Sequence, residues 1–230
     1  IGMSPGIQQV RVRVVPILTY LHHMAPESTA RLYKAPRTDI SQNQGKFRIH
    51  FNFPGRNHPD HDDHGYGPLA TVVESFMDPD TLISMHQHRN EEIANDPPLR
   101  MLQIFVRPHS LDLQPGIQHE PIPEPTANEW RHLFGSEGSD APLFVRNDVH
   151  FYDVHLDENA NIDLPSTSGW DTYFYVYDGA VTTTDTHFDT TESGLLVGSD
   201  TVTVTAQTDT LLVAFCINPD APITRQGTIG

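Results

Sequence analysis

The residues best suited to chemistry lie at positions 85–93, which read M-H-Q-H-R-N-E-E-I. If this segment is an extended strand, side chains two positions apart point to the same face. His86, His88 and Glu92 then share one face. Imidazole and carboxylate groups are ligands that divalent iron, manganese and zinc ions accept. The spacing therefore predicts one half of a metal site, in which His86 and His88 bind the ion.

The abundance of histidine weakens this prediction. The chain has 14 histidines in 230 residues, so roughly one His-x-His pair is expected by chance. The phase of Glu92 strengthens the prediction, because burying two imidazoles and a carboxylate without a metal or hydrogen-bond partners costs several kcal/mol. The alternative is that His86 and His88 are solvated or hydrogen-bonded and hold no metal.

A second histidine-rich segment, residues 57–65, reads N-H-P-D-H-D-D-H-G. Its composition suits metal binding, but its proline and glycine predict a flexible, solvated acidic loop. We predict structural roles for His150 and His155, which lie on opposite faces of one strand. The histidines without a partner at a useful spacing are His22, His23, His109, His119, His132 and His187.

Strand signals dominate the chain, because runs of hydrophobic, β-branched and aromatic residues are broken by 19 prolines and 15 glycines. The most helix-like segment is 126–134, in which Thr126 and Glu129 have the spacing of a capping box. Asp178-Gly179 predicts a tight hairpin turn. We predict strands at residues 8–15, 47–53, 69–76, 81–93, 99–106, 143–149, 151–156, 162–164, 172–177, 180–184, 194–197, 202–205 and 211–217.

These elements divide the chain into three parts. Residues 1–45 form an N-terminal arm, and residues 46–125 contain four strands followed by a proline-rich linker at 107–125. Residues 126–230 contain eight short strands, which predict a complete jelly-roll barrel. Four strands cannot close a barrel without leaving unpaired edges, so the arm, a partner subunit or residues absent from the sequence must complete the first half. The arm is also a candidate surface for a homo-oligomer.

Composition excludes several classes of partner. The formal net charge is −16, and such a field repels nucleic acid and anionic membrane surfaces. No apolar run reaches the ~20 residues of a membrane-spanning helix, and residues 12–21 make a poor signal peptide because Arg13 and Pro16 interrupt them. The single cysteine, Cys216, cannot form an internal disulfide. We therefore predict a cytoplasmic protein.

Several motifs, taken in order, resemble the pirin-type bicupin family. The first are F-x-I-x-F at residues 47–51, G-Y-G-P-L at 65–69, the M-H-Q-H-R-N-E-E-I segment, and M-L-Q-I-F-V-R-P at 101–108. The later ones lie at residues 137–143, 149–154, 173–179 and 211–218. The resemblance therefore extends from about residue 47 to the C-terminus of the chain.

The resemblance implies an all-β fold, a bicupin of two jelly-roll barrels in tandem, with the N-terminal barrel incomplete in this sequence. It implies a divalent metal ion, iron or another transition metal, in the N-terminal barrel only, with His86 and His88 in the positions of the family's first ligand pair. The implied activity is dioxygenation of a flavonol such as quercetin, so a small aromatic substrate is the expected partner. In that reaction Glu92 is the expected catalytic residue, which orients a ligand or takes the substrate's hydroxyl proton.

The sequence departs from the family after residue 93. There the family has a hairpin, further strands and a His-x-Glu motif that supplies the remaining ligands, whereas here residues 94–100 lead directly into the next strand. Two explanations are open: a segment is absent between Ile93 and Ala94, or the protein has lost it. In the second case the metal site is incomplete or absent, and the protein is a non-catalytic cupin scaffold with a binding or regulatory role.

Overall fold

A computed structural model describes residues 30–35, 42–43, 45–79, 81–83, 93–95, 99–198 and 201–225. These residues form β-strands and one short 3-10 helix, Pro54–Asn57, and they include no α-helix and no helix that is long and apolar enough to cross a membrane. The predicted all-β fold is therefore confirmed. The strands are β1 Arg31–Ala35, β2 Gln42–Asn43, β3 Phe47–Asn52, β4 Leu69–Met77, β5 Thr81–Ile83, β6 Ile93–Asn95, β7 Leu99–Val106, β8 Arg131–Ser136, β9 Leu143–Val145, β10 Val149–Leu156, β11 Asn161–Asp163, β12 Asp171–Asp178, β13 Ala180–Thr182, β14 His187–Asp189, β15 Ser193–Val197, β16 Thr203–Ala206 and β17 Thr210–Ile217.

The C-terminal barrel consists of two sheets that pack face to face. The larger sheet has seven strands in the order β1-β15-β12-β17-β10-β8-β9, and the smaller has four in the order β11-β16-β13-β14. Successive side chains alternate between the two faces of a strand, so Phe174, Val176 and Leu212 of the larger sheet point into the space between the sheets. There they pack with Phe188 and Val204 of the smaller sheet. This two-sheet core is the barrel predicted for the C-terminal part.

The N-terminal half is built on a four-stranded antiparallel sheet in the order β2-β3-β4-β7. One face of this sheet packs on the outer face of the seven-stranded sheet. Val72 of β4 and Leu102 of β7 belong to the same hydrophobic cluster as Tyr173 and Phe215 of the C-terminal barrel. Because strands of both halves contribute to this cluster, the two halves share one buried core.

The N-terminal arm joins the C-terminal barrel. Strand β1 pairs antiparallel with β15, so that Arg31 lies opposite Val197 and Ala35 lies opposite Ser193. The two-residue strand β2 is the part of the described arm that extends the N-terminal sheet. Residues 8–15, which were predicted to form a strand, lie outside the described residues. The described arm therefore contributes its longer strand to the C-terminal barrel and not to the incomplete N-terminal half.

The segment 126–134 is not helical, contrary to the prediction made from Thr126 and Glu129. These two residues close a turn instead, because the Glu129 amide donates to the Thr126 carbonyl at 3.3 Å and Asn128 has a φ of 63°. The chain then enters β8, which pairs with β10. Pairing across the sheet satisfies the backbone groups that a helix would have satisfied locally, so tertiary context overrides the local capping pattern.

The turn at Asp178-Gly179 does not close a hairpin, and this prediction was also wrong. Gly179 has a φ of +86°, as a tight turn requires. However, β12 before the turn pairs with β15 and β17, whereas β13 after it pairs with β14 and β16. The Thr210 hydroxyl lies 3.1 Å from the Ala180 carbonyl oxygen, to which it donates. The turn therefore moves the chain from one sheet of the barrel to the other.

Candidate functional site

The predicted metal ligands and catalytic residue, His86, His88 and Glu92, lie outside the described residues. The strands that flank them are described: β5 and β6 form a two-stranded antiparallel sheet in which Ile83 lies opposite Ile93. The prediction of one continuous strand over residues 81–93 is wrong, because the two ends of that segment pair with each other.

The N-terminal sheet has a second face that points away from the C-terminal barrel. Ile49, Val73 and Met77 are buried on this face. Ser75 shares the face, opposite Ile49, and its hydroxyl is buried without a hydrogen-bond partner among the described residues. An unsatisfied buried hydroxyl is costly. Ser75 is therefore a polar position in an apolar wall, and nothing in the sequence pattern had indicated it.

Residues 57–65 form a loop that is bonded to the rest of the molecule through Asp63, and the flexibility predicted for it stays a prediction. Asp63 accepts two hydrogen bonds from Arg107, at 2.7 and 2.8 Å, and Arg225 lies 2.9 Å from the same carboxylate. His61 Nε2 lies 3.0 Å from the Gly65 carbonyl oxygen. In the part of the chain that the structure describes, no group of three or more His, Cys, Asp or Glu side chains could hold a metal ion. The polar groups of the loop hold its own backbone in place.

The surroundings of Asp63 stabilise its charged form. Burial opposes ionisation of the carboxyl, but the hydrogen bonds and positive charge of Arg107 outweigh it, so the pKa of Asp63 lies below its ordinary value of 3.8. Arg107 is almost fully buried, with 3% of its side chain exposed. Loss of Asp63 would therefore leave the charge of Arg107 uncompensated in the interior.

A buried polar network joins the two halves of the molecule. Glu74 of β4 is fully buried and accepts hydrogen bonds from Arg100 Nε and from the Tyr175 hydroxyl, each at 2.5 Å. Arg100 also donates to the Tyr177 carbonyl, and its guanidinium lies 3.8 Å from the centroid of the Tyr177 ring. Burial, together with the charge of Glu74, raises the pKa of Tyr175 above its ordinary value. The phenol therefore keeps its proton and acts as a donor.

The structure also brings together His132 of β8 and His150 of β10. Their ring centroids are 4.9 Å apart, and the ring of Tyr152 stacks on His132 at 4.5 Å. His132 Nδ1 lies 3.1 Å from Asp140 Oδ1, and His150 Nε2 lies 3.1 Å from the Ser136 hydroxyl. Burial and the neighbouring His132 lower the pKa of His150 below its ordinary value of 6.5. Burial also raises the pKa of Tyr152 to about 12.

The prediction that His132 has no partner at a useful spacing is therefore wrong. Its partner lies on a different strand, and an irregular register between Phe151 and Tyr152 places His132 opposite Tyr152. The two-residue spacing of His150 and Tyr152 indicates that both side chains share one face of a strand. It points to His132 only if residues 131–136 are also recognised as a strand. His155 is exposed on the other side of β10, as its odd spacing from His150 predicts.

The sequence profile of the family described as the quercetinase C-terminal cupin domain, a pirin family, matches residues 133–215. These residues include most of the two-sheet core of the C-terminal barrel. This match covers about a third of the chain, and over these residues the chain is similar to a pirin-type cupin domain. No curated protein matches the chain in sequence.

Solved structures agree with this pirin-like fold. The bacterial pirin YhhW from Escherichia coli in complex with nickel(II) has a TM-score of 0.64 at 14% identity, over 82% of this chain and 98% of that chain. A second structure of YhhW has a TM-score of 0.65 at 13% identity, over 86% and 100% of the two chains. GK1651 from Geobacillus kaustophilus has a TM-score of 0.58 at 15% identity, over 84% and 97%. At these identities the likeness concerns the fold.

Proposed function

We propose that this pirin-like protein is a dioxygenase of a flavonol such as quercetin and depends on a divalent metal ion, iron in the first instance, held by His86 and His88. The observation that carries the proposal is the match of residues 133–215 to a cupin domain of quercetinases. The nickel(II) complex of YhhW supports a metal ion in a protein of this fold. We place the activity in the cytoplasm, in line with the composition.

The pairing of β5 with β6 supports a single site in residues 84–92. The residues on either side of this segment, Ile83 and Ile93, lie opposite each other. On one straight strand the Cα atoms of His86 and Glu92 would be roughly 20 Å apart, which is too far for both side chains to serve one ion. The pairing of Ile83 with Ile93 means that the two ends of the segment are close together, so a single site for His86, His88 and Glu92 is compatible with the described strands.

The bound ion would supply a Lewis acid that polarises the flavonol hydroxyl and orients the substrate beside O2. Glu92 would accept the proton of that hydroxyl, and it would orient a ligand when no substrate is bound. Both oxygen atoms of O2 enter the product, and the flavonol itself is the electron donor. The reaction therefore requires no separate reductant.

The test is elemental analysis of the full chain after anaerobic loading with Fe(II) and removal of free metal. We expect close to one metal ion per chain, and loss of that ion in the His86→Ala/His88→Ala double variant. The matched control is His109→Ala/His119→Ala, which removes two histidines that are exposed. This control variant should keep its metal.

Activity is then measured as the decay of quercetin absorbance together with O2 consumption, with one O2 consumed per flavonol. Metal retained by the His86→Ala/His88→Ala variant would overturn the ligand assignment. A parent protein that holds metal but does not turn over quercetin would overturn the dioxygenase assignment and favour the non-catalytic scaffold.

A further inference from the structure

A groove of about 660 Å³ lies between the two halves of the molecule, beside the proline-rich linker. Its floor contains Ile104 and Val106 of β7 together with Phe134 and Val145 of the C-terminal barrel. These four side chains pack against the shared core but are only partly buried by it. The protein therefore leaves apolar surface from both halves open to solvent in one concave place, which is the usual character of a small-molecule site.

The linker forms the opposite wall of the groove. It is held there by Gln118, whose amide donates to the Phe144 carbonyl at 2.9 Å and accepts from the Phe144 amide at 3.0 Å. Gly116 also lines the groove, and a Cβ added to it would meet only Arg146 Nη2, at 4.0 Å. The space in front of Gly116 is therefore open, and the wall is fixed to an ordered strand.

Arg146 is the cation among the described residues that line this apolar groove. No hydrogen bond or ion pair of the Arg146 side chain occurs within the described residues, although the chain carries 30 acidic residues against 14 basic ones. By contrast, Arg48, Arg100, Arg107 and Arg131 each bond a carboxylate. Among the residues that the structure describes, the Arg146 guanidinium has no carboxylate partner, so it is available to an anionic ligand, which it can bind through two parallel hydrogen bonds.

We infer that this groove binds a small aromatic carboxylate. The aromatic body would cover the partly buried floor formed by Ile104, Phe134 and their neighbours, and the carboxylate would pair with Arg146. The inference uses only described residues between positions 104 and 146, and it does not require the proposed metal ligands His86 and His88. The inference therefore stands independently of the dioxygenase proposal.

The test is isothermal titration of the full chain with 2-naphthoate and with naphthalene-2-carboxamide, a neutral ligand of the same shape. We expect saturable binding of one 2-naphthoate per chain at concentrations below about 1 mM. The carboxamide should bind roughly tenfold more weakly, because it cannot form the charge-assisted pair with Arg146.

Two variants locate the site. Arg146→Gln should weaken binding of 2-naphthoate by roughly tenfold and leave binding of the carboxamide unchanged. Gly116→Phe should abolish binding of both ligands, because the new ring fills the groove without straining the backbone. Arg31→Gln is the matched control, since it removes an exposed arginine from β1 outside the groove and should bind both ligands like the parent. Circular dichroism would establish that each variant is folded.

Three results would overturn the inference. The first is the absence of saturable 2-naphthoate binding by the parent up to about 5 mM. The others are equal affinity of the parent and Arg146→Gln for 2-naphthoate, and unchanged binding of either ligand by Gly116→Phe. The His86→Ala/His88→Ala variant separates this inference from the proposed function. Undiminished binding in that variant places the ligand in the groove, whereas lost binding would place it at the metal site and overturn the inference.

Discussion

The phenol of Tyr175 donates a 2.5 Å hydrogen bond to Oε2 of Glu74, and this bond connects a strand of the C-terminal barrel to a strand of the N-terminal sheet. Glu74 has no exposed surface, and its other described partner is Arg100. The two halves therefore share a buried charge as well as a hydrophobic core. Burial of a carboxylate is costly unless hydrogen bonds satisfy its oxygen atoms.

We predict that Tyr175→Phe lowers the free energy of unfolding by about 1–3 kcal/mol, because it leaves the buried Glu74 carboxylate with one donor fewer. Glu74→Gln should lower it by a similar amount, and the double variant should cost less than the sum of the two single changes. The measurement is urea denaturation, with Glu120→Gln as an exposed carboxylate control. Additive effects of the two changes would show that this bond contributes nothing to the contact between the halves.

We predict unequal roles for the two arginines that contact Asp63. Asp63→Asn should destabilise the protein by about 3–5 kcal/mol, because it leaves the buried Arg107 without its counter-ion. Arg225→Gln should cost less than about 1 kcal/mol, because 61% of the Arg225 side chain is exposed. Both values can be read from denaturation curves, and a large effect of Arg225→Gln would contradict the assignment of Arg107 as the main partner.

The pair Asp63–Arg107 should also contribute to acid sensitivity. The pKa of Asp63 is lowered in the folded protein, so its contribution to stability is complete above the unfolded value of 3.8. That contribution is lost as the pH falls below 3.8 towards the folded pKa. Asp63→Asn should remove this part of the acid dependence, and a denaturation series at several pH values measures it. An unchanged slope of stability against pH would contradict the prediction.

We predict that NMR titration places the pKa of His150 below 6.5, and that His132→Gln moves it back towards 6.5 without restoring it. The reason is that burial is the larger cause of the shift and the charge of His132 the smaller. Asp148 and Asp140 act in the opposite direction and limit the size of the shift.

This lowered pKa has a consequence for stability. The unfolded chain binds a proton at His150 more readily than the folded chain, so the contribution of His150 is complete above pH 6.5 and is lost as the pH falls below that value. Between about pH 7.5 and about pH 5.5, His150→Gln should therefore lose less stability than the parent. An equal loss in both proteins would contradict the assignment.

The departure from the family pattern after residue 93 can be tested by peptide mapping. Trypsin cuts after Arg89 and Arg100, so a chain in which Ile93 and Ala94 are bonded yields the peptide NEEIANDPPLR. We predict that protein from its natural source lacks this peptide and yields longer ones that contain the family's His-x-Glu motif. Detection of NEEIANDPPLR would establish that the segment has been lost and would favour the non-catalytic alternative.

The sequence was sufficient for the fold class and for most strands, because period-two patterns such as those of β4, β10 and β17 depend on local alternation. It failed where distant pairing decides the outcome. The capping-box spacing of Thr126 and Glu129 could not reveal that β10 would pair with the residues after them. Likewise, no local signal places Ile83 opposite Ile93, so the alternating pattern wrongly predicted one strand across both.

The candidate sites also differ in whether local spacing or distant pairing forms them. His86, His88 and Glu92 were selected by spacing within one segment, and their roles stay predictions. The groove residue Arg146 and the stacked pair of His132 and His150 depend on strands that are remote in sequence. Such sites form only when β8 pairs with β10 and when the linker packs beside them. No single segment of the sequence predicts either event.

The pairing of β1 with β15 makes the C-terminal barrel discontinuous along the chain. On the ribosome, residues 31–35 emerge long before residues 193–197 exist, so the first described strand must wait for most of the protein to be synthesised before it finds its partner. A fragment that begins at residue 126 would lack this strand and would present the edge of β15 to other molecules. The C-terminal barrel therefore depends on β1 from the N-terminal arm. Proteolysis in the arm should expose the edge of β15 and promote aggregation of the C-terminal half.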